Sequence, residues 1–238
     1  FASVLARNQR GFARAIKESG IPREDLFICG SVLSNQASGA DAARRLSALG
    51  CQQNLDAFAV GGIDYVDMIM LDYPGPDADS IRGQWMALEE MAAAKTTRAL
   101  AVSNFSPSQL DIILSMGPGV TIPTVNQLPY GVGFADYYPG GAANIVAENR
   151  KRGVQVQAWS PLQRAIRGSS KAACAKIGER YGKSAAQVAL RWIVDTGCSY
   201  TTACTRSLGT NTAARFRENM EIFDFELTKE ELAMLAKL

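Results

Sequence analysis

The chain has 238 residues, with 25 Lys plus Arg against 23 Asp plus Glu, five Cys and no His. Without histidine, Ser-His-Asp and Cys-His nucleophile pairs are excluded, as is any zinc or iron site that needs imidazole, and acid-base work falls to carboxylate, Lys, Tyr or Cys. A net charge of +2 argues against a nucleic-acid-binding surface, and no apolar run approaches the length of a membrane span.

Residues 8–19 (NQRGFARAIKES) put Phe12, Ala15 and Ile16 on one helical face, with Gly20 as the stop. Residues 26–29 (LFIC) read as a buried strand. A helix is expected over 40–58, with Leu46, Leu49 and Leu55 available for packing. Residues 65–71 (YVDMIML) form the next strand, ended by YPGP. Ser80 stands where an N-cap is expected, ahead of the helix around Trp85, Leu88 and Met91. Residues 98–102 are strand-like, and Ser106 caps a helix with Pro107 at its first position. A short strand at 124–127 precedes a helix over 141–152, stopped by Gly153, and a strand over 154–158. Helices over 170–181 and 184–196 are separated by Gly182. The chain closes with a strand at 199–203, a helix at 211–218 and a strand at 222–225. A last helix covers 228–237, with Thr228 as N-cap and Glu231 at the capping-box position.

Seven strand candidates thus alternate with helices, without a composition break or linker, which predicts one domain over 1–238 built on a parallel sheet. The strands are near-continuously apolar, as strands covered on both faces are. A closed β/α barrel and an open doubly wound sheet both satisfy this pattern. No G-x-G-x-x-G follows an early strand, so the barrel is preferred, although its first strand is not visible. The five cysteines are widely spaced and form no C-x-x-C, which points away from a disulfide framework or a structural metal. Reduced thiols suit an intracellular compartment, cytoplasmic or organellar. The chain opens on Phe1 rather than Met, read here as processing or truncation with any targeting segment already gone.

From Arg98 onward the text becomes distinctive. The blocks RALAVSNFSPSQLDIIL, PTVNQLPY, VQVQAWSPL, GERYGKSAAQVALRWIVDTG and ENMEIFDFELTKEELAML occur in one order over 98–238. Upstream stand KESGIPREDLFI and GIDYVDMIMLDYPGP. Together they resemble the aldo-keto reductase family over nearly the whole chain. The resemblance implies an α/β fold, a (β/α)8 TIM barrel with an incomplete first strand, that binds NADP(H) without a Rossmann motif.

Carried over residue by residue, Ser103 and Asn104 match the pair that holds the nicotinamide carboxamide, and Gln127 matches its third polar partner. Trp159 matches the ring that stacks on the nicotinamide; Ser160, Pro161 and Leu162 match the loop over the pyrophosphate. Arg215, Glu218 and Asn219 fit an R-x-x-E-N pattern for the adenosine 2′-phosphate and adenine. Arg206-Ser207 or Thr210 would stand in for the family's Lys-Ser phosphate clamp. Sites at the carboxyl ends of strands are where barrel enzymes build them.

The catalytic side differs. The family reduces a carbonyl by hydride transfer while a Tyr protonates the developing alkoxide, with a Lys, an Asp and a His in support. Here the Lys aligns with Ser31, the His with Asp72, the Tyr with Ala6, and the Asp falls near Phe1. No Tyr precedes Tyr65, Lys17 is the only Lys before Lys95, and no acid precedes Glu18. Asp72 would repel an oxyanion when ionised, yet a desolvated Asp72 could act as an acid or base. Tyr73 beside it offers a hydroxyl, although a packed strand-end aromatic is its simpler reading. The expectation is an inactive member that keeps a nucleotide pocket, as a sensor or a subunit bound to protein partners in a larger assembly. The alternatives are an oxidoreductase using Asp72 and Tyr73, and a purely structural barrel with a vestigial pocket.

Overall fold

The computed structural model describes residues 2, 7–202 and 212–238. Expectations that fall on Phe1, Ala6, Ala203, Cys204, Arg206, Ser207 and Thr210 lie outside the described residues. The chain divides into two compact units, Phe1–Asn126 with Arg152–Val154, and Gln127–Lys151 with Gln155–Leu238. Strand order follows sequence order, β1-β2-β3-β4-β5-β6. No helix among the described residues is long and apolar enough to cross a membrane.

In the first unit α1 (Gln9–Ser19) ends, as expected, on Gly20 in the left-handed region at φ 67°. Strand β1 (Cys29–Leu33) starts later than the apolar text suggests. Leu26 is held back by a hydrogen bond from its N–H to the Arg23 carbonyl, and Phe27 is left 69% exposed. Pairing begins only at Ile28, whose N–H donates to the Asp67 carboxylate at 2.8 Å and whose carbonyl accepts from Asp67 and Met68.

Helix α2 (Ala40–Ala59) buries Ala43, Ser47, Cys51, Asn54, Ala57 and Phe58, while Leu46 and Leu49 face solvent. This corrects the expected packing role of those two leucines. The helix lies so close to β1 that a Cβ on Gly30 would meet Asn54 Oδ1 at 2.5 Å, so the small and planar side chains take the inner face.

Strand β2 (Val66–Asp72) leads to α3 (Ala78–Ala93), whose N-cap is Asp77 and not Ser80. Asp77 Oδ1 accepts the Ser80 N–H at 2.8 Å, while the buried Ser80 hydroxyl donates to the Ala37 carbonyl. Strand β3 (Thr97–Ser103) precedes α4 (Pro107–Leu114), where Ser106 and Gln109 form a full capping box. The strands pair in parallel, with Leu33 opposite Asp72 and Asp72 opposite Ser103. Alternation sends Cys29, Met68, Met70 and Ala101 to one face, where they cluster. Ile69, Leu71, Leu100 and Val102 go to the other, in the larger core with Phe58, Trp85 and Leu88.

The second unit holds the end of β4 (Val125–Pro129), α5 (Ala142–Lys151), β5 (Gln155–Trp159), α6 (Gly168–Tyr181) and α7 (Ala185–Asp195). It continues with β6 (Ser199–Tyr200), α8 (Thr212–Met220) and α9 (Lys229–Leu235). Leu128, Val156, Ala158, Val188, Leu190, Trp192 and Ile193 build its core. Both α7 and α9 begin with full capping boxes, Ser184 with Gln187 and Thr228 with Glu231.

Strand β6 is shorter than expected, and residues 222–224 form a turn and bend followed by irregular Phe225, not a seventh strand. The Glu221 N–H bonds back to the Arg217 carbonyl, and the Ile222 carbonyl accepts from Arg191 Nη1, so the backbone is already satisfied locally. Cys29, Cys51, Cys174 and Cys198 are free and buried.

Candidate functional site

In the first unit, register decides what stands at the carboxyl ends of the strands. Asp72 closes β2 and Ser103 closes β3, directly opposite each other. Both continue the parity of Met68, Met70 and Ala101, so both face the side of the small Met-Ala cluster. The chain then turns sharply at each end, with Tyr73 at φ 67° and Asn104 at φ 64°. Asn tolerates this left-handed geometry, whereas Tyr adopts it at a cost. The turn brings the Asn104 amide back over the strand ends. Its Nδ2 donates to Ser103 Oγ at 2.9 Å and to Asp72 Oδ1 at 3.3 Å.

Asp72 forms no ion pair among the described residues and is half-buried. Desolvation pushes its carboxyl above the ordinary value, partly offset by hydrogen bonds from the Ser103 hydroxyl and the Asn104 amide. Ser31, at the position expected of the family's Lys, is buried on β1 opposite Met70, one same-face step below Leu33. It offers no charge to this cluster. Tyr73 is not packed, as the sequence suggests, but 45% exposed, because the left-handed turn carries it outward.

The residue that holds this corner together escaped the sequence reading. Asn126, fully buried on β4, accepts from the Phe105 N–H at 3.3 Å and donates to the Phe105 carbonyl at 2.8 Å. This two-point clamp pins the segment that carries Ser103 and Asn104. An Asn next to Gln127 inside a short strand between Val125 and Leu128 was the available signal.

In the second unit Gln127 is buried, and its Nε2 donates to Gln157 Oε1 at 2.7 Å. Trp159, two residues on from Gln157 and so on the same face of β5, is half-buried. Ser160 then takes φ 51°, the third non-glycine left-handed turn at the end of a strand. The loop through Pro161 and Leu162 runs close to Gly131, where a Cβ would lie 2.6 Å from the Pro161 carbonyl oxygen.

Arg215, Glu218 and Asn219 lie on one face of α8, as i, i+3 and i+4 positions do. Glu218 accepts from the Ser184 hydroxyl at the N-cap of α7, and the Asn219 carbonyl accepts from Tyr200 at 2.8 Å. The structure therefore brings Asp72, Ser103 and Asn104 into one cluster, pairs Gln127 with Gln157, and sets the R-x-x-E-N residues on one helix face.

Comparison with known proteins fixes the setting. The model of the Aldo/keto reductase family matches residues 4–238. The glyoxal reductase of Bacillus subtilis is 31% identical, covering 97% of this chain and 74% of that protein. The methylglyoxal reductase DkgA of Yersinia pestis is 28% identical, over 99% of this chain and 77% of the relative. An aldo-keto reductase from a Medee basin deep-sea metagenome library superposes with a TM-score of 0.80 at 22% identity, over 98% of this chain and 79% of the other. An aldo/keto reductase from Brucella melitensis gives a TM-score of 0.79 at 26% identity, over 99% and 82%. The fold is accordingly α/β, the (β/α)8 barrel of these neighbours, with six strands among the described residues.

Proposed function

The chain belongs to the aldo/keto reductase family, and from that premise we propose that it binds NADP(H) without the family's carbonyl reduction and serves as a sensor of that nucleotide. The observation that carries this reading is the Asp72–Ser103–Asn104 cluster. Two residues matching the family's cofactor side are kept at the end of β3. In hydrogen-bond contact with them stands a carboxylate, where the family has a neutral donor toward the substrate carbonyl.

The donor set suits the nucleotide. Ser103 and Asn104 together offer the hydroxyl, the N–H donors and the amide oxygen that a carboxamide pairs with. Arg215 supplies a fixed positive charge for a phosphate, beside Glu218 and Asn219 as polar partners on the same helix face. Gln127, Trp159, Ser160 and Leu162 complete the set that the family pattern assigns to the cofactor. When bound, the nicotinamide is the hydride carrier. This chain's residues orient it but lack the group that would finish a reduction. An ionised Asp72 raises the energy of an oxyanion formed beside it, and Ser31 cannot lower the pKa of any phenol.

A second reading has one observation in its favour. Burial raises the Asp72 pKa at the end of β2, which suits a carboxyl that exchanges a proton there.

Calorimetric titration with NADPH and NADP+ tests the binding, and a carbonyl panel including glyoxal and methylglyoxal tests the chemistry. Micromolar binding with no nucleotide consumption is expected. Absence of binding at millimolar nucleotide would end the proposal. Turnover that disappears in Asp72→Asn would transfer it to the second reading.

A further inference from the structure

We propose that Asp72 makes the nicotinamide subsite select the oxidised, positively charged ring of NADP+ over the neutral ring of NADPH. The inference rests on the reading that Ser103 and Asn104 hold the nicotinamide, and it names which form of the nucleotide the protein senses.

The starting point is a half-buried carboxylate with no ion pair among the described residues. Two acids drawn into the interior are neutralised by arginine: Asp67 by Arg23 and Arg98, and Asp195 by Arg191. Asp72 has no arginine or lysine partner among the described residues and accepts only from neutral groups, the Ser103 hydroxyl and the Asn104 amide. A half-buried carboxylate in such a setting gains from any cation that reaches it. Its burial, which raises the pKa, measures how poorly the protein alone compensates it.

The Asn104 Nδ2 that contacts Asp72 at 3.3 Å belongs to the amide matched to the carboxamide-holding position. The carboxylate is therefore one hydrogen bond removed from the group that would grip the ring's substituent. Oxidation of the dihydronicotinamide places one positive charge on that ring and leaves its shape nearly unchanged. Only the charge distinguishes the two forms here, and only Asp72 in the cluster carries charge to read it. Even in an effective dielectric near that of a protein surface, such a pair favours the cation by about tenfold or more. The protein would then report the ratio of NADP+ to NADPH, not their sum.

Calorimetry of both nucleotides against the wild type, Asp72→Asn and Asp72→Glu decides it. Wild type is expected to bind NADP+ about tenfold tighter than NADPH. Asp72→Asn should bring the two affinities together, and Asp72→Glu, which keeps the charge, should retain the preference. Circular dichroism and melting of each variant establish that it is folded. The wild-type ratio needs no variant, so a folding failure leaves the test intact. Equal affinities in wild type, or a preference unchanged in Asp72→Asn, overturn the inference while leaving nucleotide binding in place. If neither nucleotide binds, the functional reading itself falls, and this inference with it.

Discussion

The two units arrange their polar site residues differently. In the second unit the polar site groups find partners on other elements: Gln127 has Gln157, Glu218 has the Ser184 hydroxyl, and the Asn219 carbonyl has Tyr200. In the first unit the polar groups hold one another at the ends of β2 and β3, and burial raises the pKa of the carboxylate among them, Asp72. The second unit thus spreads its site groups over several elements, whereas the first gathers its own around one desolvated carboxylate. That contrast centres on the paired ends of β2 and β3, and substitutions there break it.

The largest effect is expected from the clamp beneath the first unit's cluster. Asn126→Ala removes both hydrogen bonds to Phe105 and leaves a buried N–H and C=O without partners. Loss of about 2–3 kcal/mol of stability follows from orphaning buried polar groups. Urea denaturation measures it. Nucleotide affinity should fall in parallel, because Ser103 and Asn104 lose the anchor that fixes their turn. A variant that kept full stability would show that the turn is held by the left-handed residues alone.

The matching change in the second unit is smaller. Gln157→Ala deprives Gln127 of its partner at 2.7 Å, but Gln157 is half-buried and water can enter in its place. About 1 kcal/mol is expected. Equal losses for Asn126→Ala and Gln157→Ala would abolish the asymmetry between the units at the level of packing and leave only charge to distinguish them.

Much of this was legible in the text of the chain. The caps at Ser106 and Thr228 announced two helices, because their chemistry is local and complete within four residues. The strand ends bearing Asp72 and Ser103 were likewise readable from apolar runs that stop at polar residues. What was not legible depended on distant partners. The start of β1 is set by Arg23 and Asp67, 44 residues apart, and the strand expected at 222–225 is consumed by turns that close onto α8 and Arg191. Leu46 and Leu49 face outward because Gly30 draws the small face of α2 inward, a choice invisible to periodicity alone. For the site, the resemblance named the residues, but that Asp72, Ser103 and Asn104 hydrogen-bond one another required coordinates.

The smallest effect is also the most direct probe of the unpaired charge. Burial raises the Asp72 pKa in the fold above its unfolded value of about 3.9. The folded protein therefore favours the protonated acid. The stability this group contributes is fully present below that unfolded value and is lost as pH rises through the folded pKa. Asp72→Asn keeps an acceptor for Asn104 and removes the ionisation, so it should be the more stable protein at pH 7. About 0.5 kcal/mol is expected, after discounting for the part of the carboxylate that water still screens. As pH falls toward 4 the two proteins should converge, because wild-type Asp72 then takes up its proton. Urea midpoints at pH 4 and pH 7 read the difference. Saturating NADP+ should reverse the order at pH 7, since the cation restores to wild type the counter-charge that Asn no longer needs. A variant less stable than wild type at pH 7 without nucleotide would mean the carboxylate is already compensated, and the contrast between the two units would lose its electrostatic basis.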